Sequence, residues 1–353
     1  MRIAVLPGDD IGPEIVEATL LIFEHASKAF GLKIDFDVLE VGMAAHRKTG
    51  STLPDAVFES AKAAAGIILG PAGVTLYPPV SEGGFNLPGT IRKRLDLFAN
   101  IRPARSRPFL ARAVPSMDFV IVRENTEGFY ADRNMFTGSG EFMPTPEVAL
   151  AVRKITAPAA RRIARVAFEI AERRAKRITM VGKRHVLMLT DGLFMGEAEK
   201  EAANHPGVTL EEMDVDAVAA ELYTHPERFN VMLTTNMFGD ILSNQALALS
   251  GGLGLACSLN RGATHAVANA GHGSAPDIAG RGIANPVGMI LSSAMLIDHL
   301  GVKHSRPEFC KAATAVEAAV DAALQNSHLR TPDLGGSGGT KPFAQAVCDA
   351  IKA

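Results

Sequence analysis

The apolar run MDFVIV ends in RENTEGFY, residues 123–130, which holds an arginine, two glutamates, an asparagine and a tyrosine. A strand end that faces solvent needs only a turn, whereas one that opens onto a cleft can present such side chains to a ligand. Arginines recur at other element ends: Arg92 in GTIRKRLDL and Arg102 in ANIRPARSRP, besides Arg123 itself. A guanidinium binds a carboxylate through paired, planar hydrogen bonds, so arginines converging on one cleft suit a di- or tricarboxylic acid. Taken singly, each reads as a surface cation.

Two acids stand further along the chain. Asp240 follows a strand-like run, FNVMLTTN, and Asp216 follows VTLEEM. Hard divalent cations take carboxylate oxygens, and Mg²⁺ shares its shell with water and substrate. Asn244 lies one helical turn beyond Asp240 on the same face and offers a carbonyl oxygen without charge. Asp240 reads equally well as the N-cap of the helix ILSNQALAL. Lys183 ends another strand, RITMVG. Desolvation there would lower its pKa and make it a base; the alternative is a surface lysine. The segment AGHGSAPDIAGRGIANP, residues 270–286, has little side chain to pack. Its backbone can approach a ligand closely, and N–H groups ahead of a helix suit a pyrophosphate. A long surface loop is the bland alternative.

The elements that must hold these groups alternate. RIAVLPG, KIDFDVLEVG, GIILGP, MDFVIV, RITMVG and FNVMLTT read as strands, with helical stretches such as EIVEATLLIFEHASKAF and PDAVFESAKAAA between them. In the first of those helices Ile15, Thr19, Ile22 and Phe23 share a face. The alternation predicts an α/β fold with strands buried on both faces. No G-x-G-x-x-G follows the first strand; GDDIGPE stands there instead, so a simple Rossmann dehydrogenase is disfavoured.

The chain has 353 residues, 47% hydrophobic and 21% charged, which is globular and long enough for two domains. A net charge of -2 provides no field for nucleic acid. The arginines of ARRIARVAFEIAERRAKR read as the solvated face of a helix whose other face carries Ile163, Val166, Ala167 and Ile170. Three cysteines without a CxxC fit a reducing cytosol, and MRIAVLPGDD does not read as a signal peptide. No apolar run approaches the ~20 residues of a membrane span. The expectation is a cytoplasmic protein without nucleic-acid or membrane partners.

Taken together, LPGDDIGPEI, LDLFANIRP, VRENTEGFY, LTDGLF, TTNMFGDILS, GGLGLA, HGSAPDIAGRGIANP and RTPDLGG occur in one order along nearly the whole chain. In this the chain resembles the β-decarboxylating dehydrogenases: the isopropylmalate, isocitrate, homoisocitrate and tartrate/D-malate enzymes. The resemblance implies a two-domain α/β fold with a parallel-rich sheet. Residues 1–97 with 251–353 would bind cofactor, 98–250 would dimerise and carry catalysis, and an arm at about 135–146 would clasp a partner subunit. It implies oxidative decarboxylation of a 3-substituted (R)-malate with NAD and Mg²⁺ or Mn²⁺, in a homodimer with shared sites. Arg92, Arg102 and Arg123 would grip the substrate. Asp240, with Asp216 from the partner, would hold the metal. Lys183, also given across the dimer, would remove the hydroxyl proton, and Tyr130 would return a proton to C3. His272, Gly273, Ser274, Ala275, Asp277 and Asn285 would line the cofactor site, and the carboxylate of Asp277 would favour NAD over NADP.

Three positions depart from the family pattern: Asn244 and Asn269 replace acids, and His185 replaces an asparagine after the lysine. They motivate an alternative, a catalytically silent regulatory paralogue; a tartrate/D-malate-type enzyme is another. The substituent-reading stretch GGFNLPGTIR is moderately apolar at Phe85, Leu87 and Pro88. That suggests an uncharged C3 substituent, unless those residues serve the helix that follows.

Overall fold

In the computed structural model the described residues are 1–111, 113–114, 116–130 and 135–352. They divide into two compact units, Met1–Leu95 with Gly252–Ala353, and Asp96–Gly251.

In the first unit β1 (Arg2–Leu6) lies between β2 (Asp35–Val38) and β3 (Gly66–Leu69), all parallel. β12 (Ala266–Asn269) extends the sheet parallel to β3, and β11 (Leu259–Arg261) pairs antiparallel with β12. The helices are α1 (Gly12–Phe30), α2 (Gly42–Thr49), α3 (Asp55–Lys62), α4 (Leu87–Arg94), α9 (Val287–Lys303), α10 (Pro307–Gln325) and α11 (Thr340–Ala350). The uniform burial of Gly66–Leu69 and Ala266–Asn269 reflects strands covered on both faces, hence the apolar runs GIIL and AVA. On α1, Ile15, Thr19, Ile22 and Phe23 are all buried, as the helical spacing predicts.

In the second unit β10 (Val231–Thr234) runs parallel between β5 (Asp118–Glu124) and β8 (Arg177–Gly182). β9 (Thr209–Asp214) continues the sheet beyond β8, and β4 (Ala99–Arg105) pairs antiparallel with β5. Its helices are α5 (Ala157–Glu172), α6 (Thr190–Ala202), α7 (Val215–Thr224) and α8 (Asn236–Ser250). Residues 141–151, which overlap the expected arm of about 135–146 only in part, form a hairpin of β6 (Glu141–Thr145) and β7 (Val148–Ala151), exposed along its whole length.

The arginines of α5 do more than meet solvent. Arg161 pairs with Glu197 at 2.8 Å, Arg165 with Glu201 at 3.4 Å and Arg162 with Asp96 at 2.6 Å. Glu197 and Glu201 are buried while Arg161 and Arg165 remain 49% and 59% exposed, so the arginine face is solvated as expected and also joins α5 to α6. Among the described residues no helix is long and apolar enough to cross a membrane.

Candidate active site

The register of three strands builds the first cluster. β4 sets Asn100 opposite Arg123 and Arg102 opposite Ile121, while β10 sets Thr234 beside Arg123. Side chains two apart share a face, so Arg102 and Arg123 leave adjacent strands on the same side. β10 then runs into α8, where Asn236 and Asp240 lie a turn apart on one face. Gly239 keeps that turn close: a Cβ there would stand 2.7 Å from Cγ of Arg123.

Asp240 is the hub. Its Oδ1 accepts from Nη1 of Arg102 at 3.1 Å and from Nη1 of Arg123, and its Oδ2 accepts the Tyr130 hydroxyl at 2.6 Å. Arg123 donates again, to Oδ1 of Asn236, from Nε at 3.0 Å and Nη2 at 2.6 Å. Arg102 reaches Oγ of Ser243 at 2.6 Å. The side chain of Arg123 is 2% exposed and that of Asp240 33%, so the carboxylate sits at the mouth of a buried cationic floor. Burial alone would push the Asp240 carboxyl up; Arg123, the Tyr130 hydroxyl and Arg102 outweigh it and hold it below the usual carboxylate range. Burial lowers the pKa of Arg102, and Asp240 opposes that shift.

The structure corrects one expectation here. Asp240 is not an N-cap, because α8 begins at Asn236 with Thr235 before it. Asn244 donates its amide N–H to the carbonyl of Asp240 at 3.0 Å, a bond that does not use the side-chain oxygen expected to face a cation. Arg92 belongs to the first unit, on α4, half-buried.

The second cluster lies at the ends of β8 and β9. Lys183 Nζ donates to Oδ2 of Asp214 at 3.1 Å and to Oδ1 of Asp216. Asp216 is 71% exposed, in the first turn of α7. His185 faces Asp214 at 3.3 Å. The hydrogen bond from Lys183 to Asp216 raises the lysine pKa, contrary to the expected lowering by desolvation. In an isolated chain Lys183 is therefore a held cation rather than a base.

A third feature, in the first unit, is a cavity of about 340 Å³ lined by His272, Gly273, Ala275 and Asn285, with Ile11 and Asp333. Ser274 is buried beneath, its carbonyl accepting the Ile11 N–H at 3.1 Å. Asp277 is exposed in the turn Pro276–Ile278. Nε2 of His272 is buried without a hydrogen-bond partner among the described residues, and burial lowers the imidazole pKa. Asn269 is buried; its side-chain amide donates to the carbonyl of Leu69 at 3.0 Å, and its backbone carbonyl accepts the Ser258 and Ser292 hydroxyls.

Sequence reasoning missed Asp214, Asn236 and Asp333. Asp333 lay within RTPDLGG and accepts from Asn285 Nδ2 at 2.9 Å. Asn236 lay beside Asp240 in TTNMFGD, four residues away. Asp214 sits two residues from Asp216 in the acidic run EEMDVD, which was the available signal.

Parallel-rich α/β units whose strand ends bring two arginines around one carboxylate present a site of the kind that receives small carboxylic acids. The family model for isocitrate/isopropylmalate dehydrogenase matches residues 2–351. A 3-isopropylmalate dehydrogenase of Methanothermobacter thermautotrophicus is 40% identical over 348 residues, covering 98% of this chain and 97% of that protein. An isocitrate/homoisocitrate dehydrogenase of Thermus thermophilus is 42% identical over 352 residues, 99% of this chain and 98% of that protein. The crystal structure of isocitrate dehydrogenase from Methylococcus capsulatus superposes with a TM-score of 0.86 at 37% identity, covering 100% of this chain and 99% of that one. The chain belongs to the isocitrate/isopropylmalate dehydrogenase family. It is an oxidoreductase acting on a CH–OH group with decarboxylation.

Proposed function

We propose that this enzyme oxidatively decarboxylates a 3-substituted (R)-malate to a 2-oxo acid, using NAD and Mg²⁺ or Mn²⁺, as a homodimer with shared active sites. The observation that carries the reading is the convergence of Arg102, Arg123 and Tyr130 on Asp240. Two guanidinium groups fixed on one side of a sheet form a floor for a second carboxylate, that of the substrate. Arg92, on α4 of the first unit, is proposed as a further carboxylate anchor.

The donor set fits a hard cation. Mg²⁺ uses one or two protein carboxylates and takes its other oxygens from water and substrate. Asp240 supplies one carboxylate, and among the described residues no three His, Cys, Asp or Glu side chains form a self-contained cage. The exposed Asp216 is the second donor, contributed from the other subunit. A divalent cation held by Asp240 and Asp216 would supply Lewis-acid chemistry at the substrate oxygens, and NAD would supply the hydride acceptor. Lys183, detached from Asp216 in the assembled site, receives the C2 hydroxyl proton. Tyr130, already donating to Asp240, returns a proton to C3.

The cavity of the first unit fits the adenosine half of the dinucleotide. Its volume of about 340 Å³ lies in the range of ligand pockets, and the unpartnered Nε2 of His272 offers a hydrogen bond. Asp277, exposed on the adjoining turn, favours NAD because a carboxylate repels a ribose 2′-phosphate. The dimer is supported by exposed apolar side chains: Phe142, Met143 and Leu150 on the arm, and Val186, Met188 and Leu189 just after Lys183. Leu87 is fully buried and Asn86 caps α4, so of the apolar residues before Arg92 only Phe85 and Pro88 remain to meet a C3 substituent.

The test is complementation. Lys183→Met and Asp240→Asn are each inactive alone. Mixed and reassembled, they regain about a quarter of wild-type activity, because half the dimers are hybrids with one intact site of two. No recovery refutes shared sites. A panel of malate derivatives with Mn²⁺ then identifies the substituent, and silence across the panel refutes the catalytic reading.

A further inference from the structure

A second charged pair in the same unit is buried more deeply than the one at Asp240. Arg153, in the segment between β7 and α5, meets Asp191 in the first turn of α6 at 2.6 Å, with side chains 7% and 1% exposed. Asp191 Oδ2 also accepts the backbone N–H of Lys183 at 2.7 Å. Arg153 donates to Oγ1 of Thr190 at 2.7 Å and to Oγ1 of Thr235 at 3.1 Å. Its guanidinium carbon lies 5.7 Å from the ring centroid of Phe129 and 5.5 Å from that of Phe238.

Stability alone is a weak reason for such a pair, since well-packed apolar residues of the same volume often do as well. Its geometry is more specific. Lys183 is the first residue past β8, where the strand ladder no longer fixes the backbone. Asp191 supplies that anchor from eight residues away. The fit is close: a Cβ on Gly182 would stand 3.0 Å from Oδ2 of Asp191 and 2.7 Å from Met195. Thr235 is the residue before α8, the helix that carries Asn236 and Asp240. One guanidinium therefore ties the loop of Lys183 to the start of the helix of Asp240.

We propose that Asp191 is a positioning residue for Lys183, and that Arg153 joins the lysine loop to the helix bearing Asp240. The second half rests on the shared-site reading above. In such a dimer, Lys183 and Asp240 of one chain serve different sites, so the pair links the two sites within each chain.

The complementing pair of variants tests this directly. Asp191→Asn is added either to the Asp240→Asn chain, which donates the working lysine, or to the Lys183→Met chain, which does not. Recovered kcat falls about tenfold or more in the first placement, the scale of a misplaced reacting group, and less than about twofold in the second. Arg153→Lys lowers kcat in both placements. Equal loss of Asp191→Asn in the two placements, or loss in neither, overturns the assignment. Should Asp191→Asn chains not assemble, Asp191→Glu keeps the charge, displaces the carboxylate and is held to the same asymmetry. Should the parent mixture stay silent, shared sites fall, and with them the link between sites. Asp191 is then judged in the single variant: lower kcat at unchanged substrate KM supports positioning of Lys183, and raised KM at retained kcat overturns it.

Discussion

Asp240→Ala removes a carboxylate that two buried guanidinium groups share. Arg123 is 2% exposed and Arg102 11%, so neither regains full hydration when Asp240 goes. Stranding a buried charge by deleting its partner costs about 3–5 kcal/mol. Here the lost carboxylate is 33% exposed, and Arg123 keeps the Asn236 oxygen, so screening reduces the expected loss to roughly 1–3 kcal/mol. For a protein this size that lowers the thermal midpoint by on the order of 5 °C. Asp240→Asn leaves an acceptor oxygen and loses less. Calorimetry at pH 7 reads both variants. A hydroxy-dicarboxylate such as D-malate, without metal, then fills the place of the missing carboxylate in Asp240→Ala; at 100 times its Kd it restores about 2.7 kcal/mol. Equal midpoints for wild type and Asp240→Ala, with no response to the dicarboxylate, refute a preformed anion floor.

Three further outcomes follow from the same geometry. The folded pKa of Asp240 is depressed, so its stabilisation is present above the unfolded carboxyl value of about 3.9 and is lost as pH falls through the folded value. Urea midpoints of wild type and Asp240→Asn therefore differ steadily near neutrality and converge in acid; a gap undiminished at pH 2 contradicts this. Tyr130→Phe slows protonated product formation by about 10²–10⁴-fold, while single-turnover NADH formation stays within about threefold; equal losses contradict the acid role. Wild type prefers NAD, and Asp277→Arg moves the NAD/NADP ratio of kcat/KM at least about tenfold toward NADP; a wild type indifferent to the two cofactors sinks the role of Asp277.

The sheets were legible where burial is two-sided. GIIL and VMLT are buried at every position because both faces are covered, and each stands out as an apolar run, broken only by the terminal Thr234. The strands that escaped notice break that pattern. β4, ANIRPAR, carries Asn100, Arg102 and Pro103; β9, TLEEMD, is a half-exposed edge; the arm hairpin is exposed throughout. Two of these hold site residues or flank them: Arg102 is in β4, and Asp214 ends β9. The polarity that makes a strand useful to a site is the polarity that hides it from an apolar-run reading.

The side-chain partners show a sharper limit. Arg102, Arg123 and Asp240 were each nameable from motifs, yet each alone read as a surface charge or a cap. Asp240 stands 138 residues from Arg102 and 117 from Arg123 along the chain. Only the register of β4, β5 and β10 makes them neighbours, and register is fixed by tertiary packing rather than by local sequence. Lys183 shows the converse. Its motif pointed to a base, but in one chain it is a cation held by Asp214 and Asp216, and the Asp216 hydrogen bond raises its pKa. A lysine freed of Asp216 still carries its proton at neutral pH, so a base needs something that both takes Asp216 away and lowers the lysine pKa, and a divalent cation bound between subunits would do both. In that arrangement metal binding and activation of the base are one event: the carboxylate that silences Lys183 in the lone chain becomes a ligand in the dimer. Activity should then rise with protein concentration and with Mn²⁺ cooperatively rather than independently. A Mn²⁺ affinity that is the same above and below the dimer dissociation constant would break that link.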